Sequence, residues 1–147
     1  MTGARIGFLR YGRRRRYMPD HGIRRALDMK PLADLAVESV GGVPVAAVSG
    51  EIDISNASEL SARISELAAE AGGGLAVDLT AVDYLDSSGL RVLLNLASAC
   101  ADRGQELRVV VENGSFIASL METTGVVGIL SVSGSRDEAV RELASAR

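Results

Sequence analysis

Hydrophobic and β-branched residues form two short stretches, 35–40 and 43–48, near the start of the main part of the chain. Gly41 and Gly42 separate these stretches. Because two consecutive glycines tolerate the positive φ angles of a tight two-residue turn, the stretches are predicted to pair as an antiparallel β-hairpin.

Apolar residues then recur with helical spacing in four segments, which predict four helices. The first helix is predicted to start after Ser55 or Asn56, both of which are capping residue types. Its apolar face comprises Ala57, Leu60, Ile64, Leu67 and Ala71. The second helix is predicted to start near Ser88. Its apolar face comprises Leu90, Leu93, Leu94, Ala97 and Ala101. The third and fourth helices are predicted at 115–124 and 136–146.

Short apolar segments at 75–79, 107–111 and 129–132 alternate with these helices and are predicted to be strands. Strands that alternate with helices are usually joined by crossovers into a parallel sheet. The predicted fold class is therefore α/β, with a mixed sheet of about five strands and about four helices. The hairpin is expected to form an antiparallel edge, and the rest of the sheet is expected to be mostly parallel.

The length of 147 residues fits a single domain, because a chain of this size buries roughly two thirds of its unfolded surface in one core. Hydrophobic residues make up 47% of the chain, but no apolar run approaches the roughly 18 residues of a membrane span. Cys100 and His21 are the only cysteine and histidine, which excludes an internal disulfide and a Cys/His zinc site. We therefore expect a cytoplasmic protein without a metal, a cofactor or a membrane segment.

The charge is unevenly distributed along the chain. Residues 1–28 contain eight arginines and two aspartates, a net charge of +6, whereas residues 29–147 contain eight basic and seventeen acidic residues, a net charge of −9. An acidic body repels nucleic-acid phosphates, so no direct nucleic-acid contact is expected from it. We interpret residues 1–28 as a basic leader that is either a disordered arm, able to contact nucleic acid or an anionic surface, or not translated, with Met29 as the start in the second case. Residues 29–147 are interpreted as the folded domain.

Familiar catalytic and nucleotide-binding patterns are missing from the sequence. His21 lies in the leader, so a serine or cysteine nucleophile in the body lacks a histidine base. The glycines at 72–74 follow a helix and precede a strand, the reverse of the order in a phosphate-binding loop. A receiver domain would offer Asp78 or Asp86 for phosphorylation, but its late lysine has no counterpart, since Lys30 is the only lysine. We expect a protein that is not an enzyme.

Asp86, Ser87 and Ser88 precede the second helix, and all three are residue types that cap helices. A helix needs one cap, so two of the three side chains are surplus. A phosphate at a helix N-terminus is stabilised by about 0.3 to 1 kcal/mol, because it lies at the positive end of the helix dipole. Phosphorylation of Ser87 would add about 1.5 to 2 negative charges beside Asp86 and change the binding of a partner. The alternative is that the segment caps the helix with redundant residues.

Three features of the chain resemble the bacterial STAS-domain anti-sigma factor antagonists. They are the turn 50–53 (Gly-Glu-Ile-Asp), the turn 86–90 (Asp-Ser-Ser-Gly-Leu) and a glycine-centred turn at Gly125 before the last strand. The resemblance extends over residues 33–145. One departure is the segment 113–115, Asn-Gly-Ser, where members of the family often carry a proline.

This resemblance implies a regulatory binding protein that is the substrate of an enzyme. Ser87 would be the phosphoacceptor of an ATP-dependent anti-sigma factor serine kinase, and a serine phosphatase would remove the phosphate. The unmodified protein would bind the kinase and free a sigma factor, and phosphorylation would release it. The residues expected to shape this site and bind the partner, from two adjacent loops and the helix, are Glu51, Asp53, Asp86, Ser88, Gly89 and Arg91.

Two other functions stay open at this point. The domain could be a constitutive STAS scaffold of a transport or stress-signalling complex, indifferent to phosphorylation. It could also be a nucleotide-binding STAS module that holds a phosphate at the helix start near Ser87. Glu51 and Asp53 are expected in a solvated loop and not in a cation site. Cys100, Phe116 and Met121 are expected in the core. The pattern leaves the oligomeric state open.

Overall fold

The computed structural model describes residues 33–145 and the backbone of residues 3–7. The described residues form one six-stranded sheet and four α-helices. The strands are β1 (Gly3–Gly7), β2 (Ala33–Val40), β3 (Val43–Ile52), β4 (Gly74–Leu85), β5 (Glu106–Val110) and β6 (Ser131–Ser133). The helices are α1 (Ala57–Ala69), α2 (Ser87–Asp102), α3 (Phe116–Thr124) and α4 (Arg136–Ser145), and a 3-10 turn (Val126–Gly128) precedes β6. Apart from β1, the predicted leader lies outside the described residues.

The predicted α/β fold is confirmed, with β2 to β6 as the five strands of the predicted sheet. β2 and β3 pair antiparallel, with Val40 opposite Val43 at the turn. Gly41 and Gly42 have φ angles of 59° and 82°, which glycine adopts without steric cost, so the turn closes in two residues. β1 pairs antiparallel with the outer side of β2, so the antiparallel part of the sheet has one strand more than the predicted hairpin.

The strands β3, β4, β5 and β6 are parallel neighbours in the sheet. The strands β3, β4 and β5 therefore end at the same edge of the sheet, at Ile52, Leu85 and Val110, and we call this the carboxyl edge. β4 continues beyond its predicted end at residue 79, because its second half pairs with the end of β3. The segments that follow these strands lie side by side.

Helices cover both faces of the sheet. α1, α2 and α3 pack on one face, and α4 packs alone on the opposite face, where Ala139 and Leu143 contact a small apolar cluster of β3, β4 and β5. The buried residues of α2 are Gly89, Leu90, Val92, Leu93, Leu96 and Cys100. The predicted apolar face of α2 is therefore wrong at Ala101, which is exposed. Cys100 and Met121 are buried as predicted, whereas Phe116 is not a core residue, since it is 55% exposed.

Arg136, the first residue of α4, joins this helix to two strands. Its guanidinium forms ion pairs of 2.6 Å with Glu38 of β2 and 2.9 Å with Asp78 of β4. The backbone N–H and the hydroxyl of Thr80 donate to the Asp78 carboxylate at 2.9 and 2.8 Å. Asp78 is buried, so this carboxylate acts within the structure and not at the surface.

Candidate functional site

Two of the motifs found in the sequence meet at the carboxyl edge. The register of β3 and β4 sets Glu51 beside Tyr84 and Ile52 beside Leu85. The backbone N–H of Asp86 then donates a hydrogen bond of 3.3 Å to the carbonyl oxygen of Ile52. The Gly-Glu-Ile-Asp turn and the Asp-Ser-Ser-Gly-Leu turn are thereby joined through their backbones.

The first turn is held by the side chain of Asn56. Its Oδ1 accepts a bond of 3.0 Å from the N–H of Asp53, and its Nδ2 donates a bond of 2.9 Å to the carbonyl oxygen of Glu51. The Asp53 carboxylate accepts bonds from the N–H and the hydroxyl of Ser55, at 2.9 and 2.6 Å. Asn56 occupies the N-cap position of α1, but neither predicted cap acts through its side chain. The Asn56 amide instead braces the preceding turn, and the first helical bond runs from the N–H of Ala57 to the Asp53 carbonyl oxygen.

In the second turn, Asp86 alone caps α2. Its Oδ1 accepts bonds from the N–H groups of Ser88 and Gly89, at 2.8 and 3.3 Å. Helix α2 therefore begins at Ser87, one residue earlier than predicted, and both serines lie within its first turn. Of the three candidate caps, the carboxylate does the capping, so the Ser87 hydroxyl is not needed for it.

Gly89 is buried beneath this turn. A Cβ atom built at Gly89 would overlap with the side chain of Leu85 and would lie 3.1 Å from Cγ2 of Ile52. Real Cβ atoms essentially never approach another atom as closely as this one would approach Leu85, so the glycine allows α2 to start directly against the ends of β3 and β4. This close approach is the physical reason for a glycine in the Asp-Ser-Ser-Gly-Leu turn.

The site residues differ in how far they reach into solvent. Ser87 and Arg91 are exposed, and both lie on α2. The residues that are half-buried are Glu51, Asp53, Asp86 and Ser88. The structure therefore brings three carboxylates, a solvent-facing hydroxyl and a solvent-facing guanidinium to one end of the molecule.

Sequence reasoning missed a set of exposed apolar side chains at the same edge. Ile54, which directly follows Asp53, is 82% exposed. Tyr84 and Phe116 are 44% and 55% exposed, and their rings stack with 6.4 Å between centroids and 13° between planes. The sequence offers one indication of this surface: Ile54 is a large apolar residue that does not belong to the predicted apolar face of α1. Large exposed apolar side chains that cluster on one surface mark interaction sites.

Within the described residues, no group of three or more His, Cys, Asp and Glu side chains is placed to hold a metal ion. Among the same residues, no helix is both long enough and apolar enough to cross a lipid bilayer.

Two curated proteins and a family model resemble this chain. Residues 35–134 match the family model described as Mlab, STAS domain. BtrV of Bordetella bronchiseptica, whose name assigns it provisionally to the anti-sigma factor antagonists, is 32% identical over 108 residues, or 71% of this chain and 90% of the relative. RsfB of Mycobacterium tuberculosis, named an anti-sigma-F factor antagonist, is 37% identical over 82 residues, or 55% of this chain and 65% of the relative.

A solved structure agrees with these matches. The crystal structure of an anti-sigma factor antagonist from Mycobacterium paratuberculosis superposes with a TM-score of 0.68 and 28% identity, and covers 76% of this chain and 94% of that chain. The matched family segment spans more than half of the chain and includes both turns of the carboxyl edge. The protein therefore belongs to the STAS-domain family of anti-sigma factor antagonists.

Proposed function

We propose that this protein is a phosphorylation-controlled anti-sigma factor antagonist. With Ser87 unmodified, it binds an ATP-dependent anti-sigma factor serine kinase and thereby frees a sigma factor. The bound kinase phosphorylates Ser87 and the complex dissociates, after which a serine phosphatase restores the unmodified form. In this cycle the protein is a binding partner and a substrate.

The observation that carries this proposal is the exposed hydroxyl of Ser87 at the first position of α2. Because Asp86 caps the helix, esterification of Ser87 removes no capping hydrogen bond. Ser88 is half-buried in the same turn, and its N–H is held by Asp86. A visiting kinase therefore reaches Ser87 more readily than Ser88.

The exposed apolar side chains supply a surface for the kinase to bind. Ile54 follows the Gly-Glu-Ile-Asp turn, and Tyr84, which stacks on Phe116, lies three residues before Ser87, so these side chains belong to the same edge of the sheet as Ser87. Aromatic and large aliphatic side chains dominate the free energy of protein interfaces, since their burial removes apolar area from water. We propose that these side chains provide the affinity for the kinase and that the phosphorylation state of Ser87 controls this affinity.

Negative charge is the physical means by which phosphorylation of Ser87 lowers the affinity for the kinase. Asp86 precedes Ser87, and Glu51 and Asp53 lie in the adjoining turn. A phosphate adds about 1.5 to 2 negative charges to this acidic surface, and repulsion across an interface costs enough to release a partner.

The test is to incubate the full-length protein with its cognate kinase and ATP and to map the modified residue by mass spectrometry. Phosphate on Ser87 is the expected result. Phosphate only on Ser88, or on no residue while the kinase modifies a known substrate, contradicts the proposal.

Binding of the kinase to matched variants tests the switch itself. Ser87→Ala is expected to bind like the unmodified protein and to stay bound in ATP, whereas Ser87→Asp is expected to bind about tenfold or more weakly. Ser98→Asp is the control, because Ser98 is exposed on the same helix about 16 Å further along. Equal binding of Ser87→Asp and Ser98→Asp would favour a constitutive scaffold instead.

A nucleotide-binding role is less well supported by the contacts at α2. The N–H groups of Ser88 and Gly89, which a nucleotide phosphate would use, are occupied by the Asp86 carboxylate. A second negative charge at the same donors is repelled. Calorimetry with ATP and GTP is expected to give no binding heat.

A further inference from the structure

A phosphate on Ser87 needs a counter-charge that the helix N-terminus does not fully provide. Two of the N–H donors in the first turn of α2 are taken by Asp86. The other charged groups contributed by the two joined turns are carboxylates, those of Glu51 and Asp53. Without a cation nearby, the modified turn would concentrate negative charge.

Arg91 lies one helical turn beyond Ser87 on α2. Residues four apart on a helix have Cβ atoms about 5 to 6 Å apart and lie on the same face. Long side chains in a helix lean back toward its N-terminus, which directs the Arg91 guanidinium toward Ser87. Both residues are exposed, so nothing buried separates them.

The Arg91 guanidinium is also available for a new contact. Among the described residues, the arginines that form ion pairs are Arg108 and Arg136, and Arg91 makes none. A guanidinium binds phosphate oxygens through paired N–H donors, with stronger hydrogen bonds than neutral groups form.

We propose that Arg91 is the intramolecular counter-ion of phosphorylated Ser87. This proposal rests on Ser87 being the residue that is modified. In the unmodified protein, Arg91 presents a positive charge on α2 to a partner. In the phosphorylated protein, the guanidinium binds the phosphate and is withdrawn from the partner, so one modification both adds negative charge and removes an available positive charge. Arg91 is thus a positioning residue for the phosphate.

The test uses full-length protein with phosphoserine installed at position 87 during translation, so that no kinase is required. The ionisation of the phosphate is followed by phosphorus NMR as the pH is varied. A nearby cation favours the dianion and lowers the midpoint of this titration. The expected midpoint is higher in Arg91→Gln than in the unaltered chain by about half a pH unit at low salt, and higher still in Arg91→Glu.

Arg103→Gln is the matched control, because it removes the same charge about 24 Å away at the other end of α2. A midpoint that rises in Arg91→Gln and not in Arg103→Gln supports the contact. An unchanged midpoint in Arg91→Gln, or an equal rise in both variants, overturns it. These outcomes do not depend on any kinase, so a failure here is distinct from a failure to phosphorylate Ser87.

Discussion

Gly89 lies so close to the side chain of Leu85 that a methyl group on its Cα would overlap with Cδ1 of the leucine. Leu85 ends β4 and is 1% exposed, so it cannot turn outward to make room. Ile52 closes the same space from β3, with its Cγ2 atom 3.1 Å from the position of the missing methyl. The start of α2 is therefore fixed against two strand ends by the absence of one side chain.

Gly89→Ala is expected to lower the free energy of unfolding by about 1 to 3 kcal/mol, because either the helix or Leu85 must shift. Urea unfolding followed by circular dichroism measures this change. Gly128→Ala is the control, since a Cβ atom there meets nothing within 4 Å, and its effect should be within about 0.5 kcal/mol. Equal effects of the two substitutions would contradict the steric argument.

Ile54→Glu is expected to weaken kinase binding by about tenfold or more, because it places a charge where an apolar contact is proposed. Its effect on stability should be small, since the side chain is 82% exposed. Ile129→Glu is the control: Ile129 is 69% exposed but precedes β6, at the opposite edge of the sheet from Ile54. Titration calorimetry measures the affinity of both variants for the kinase. A similar loss of affinity in both would contradict the prediction, because the loss would then not depend on where the exposed apolar side chain lies.

Arg136→Ala is expected to lower the free energy of unfolding by about 1 to 3 kcal/mol, since it leaves the buried carboxylate of Asp78 without its cation. Burial acts to lower the pKa of Arg136, but the bonds to Asp78 and Glu38 outweigh it and raise the pKa above its usual range, so the arginine stays charged. Arg141→Ala, an exposed change on the same helix, should cost less than about 0.5 kcal/mol.

The double variant Arg136→Ala with Asp78→Asn separates charge from packing. Removal of the carboxylate charge should recover part of the loss, because the buried group is then neutral. No recovery would indicate that the aliphatic stem of Arg136, and not its charge, stabilises α4.

Cys100 gives a prediction about pH. Burial raises the pKa of its thiol above the ordinary value of 9.0, against a smaller opposite effect of Arg103. The folded state thus favours the protonated thiol, and this contribution to stability is complete below pH 9 and is lost as the pH rises through the higher folded-state value. Urea unfolding at pH 8 and pH 10 should show a larger loss for the unaltered chain than for Cys100→Ala. An identical loss in both would show that other groups account for it.

Local signals made much of the fold predictable. Gly41 and Gly42 determine the hairpin because a two-residue turn depends only on its own φ angles. The predicted range of α3, 115–124, agrees with the observed Phe116–Thr124 to within one residue: the Ser115 hydroxyl accepts a bond from the N–H of Ala118 at its start, and Gly125, with a φ of 81°, follows its end. These features need no knowledge of distant residues.

The features that the sequence did not reveal depend on distant partners. Which of Asp86, Ser87 and Ser88 caps α2 depends on the backbone bond from Asp86 to Ile52, which belongs to another strand. Phe116 begins a helix and is apolar, so its pattern indicates the core, yet it stacks on Tyr84 at the surface. Such contacts join residues far apart in the chain, and periodicity reports only on neighbours.

The anchoring of α4 shows the same limit. Arg136 and Asp78 are 58 positions apart, and an arginine at a helix start looks unfavourable beside the helix dipole when α4 is considered alone. Arg136 is nevertheless favourable at this position, because it forms ion pairs with two carboxylates from different strands. The predicted range of this helix, 136–146, still agrees with the observed Arg136–Ser145, because its apolar period is local.

The hydrogen bond between Asp86 and Ile52 joins main-chain atoms only. Its formation does not depend on which side chains occupy the surrounding surface, so positions 54, 91 and 116 are free to diverge while the scaffold keeps its shape. Paralogues that share this backbone in one genome can then be insulated from one another's signals by exchanging a few surface residues. The surface side chains that select a partner are thus different from the main-chain atoms that hold the two turns together.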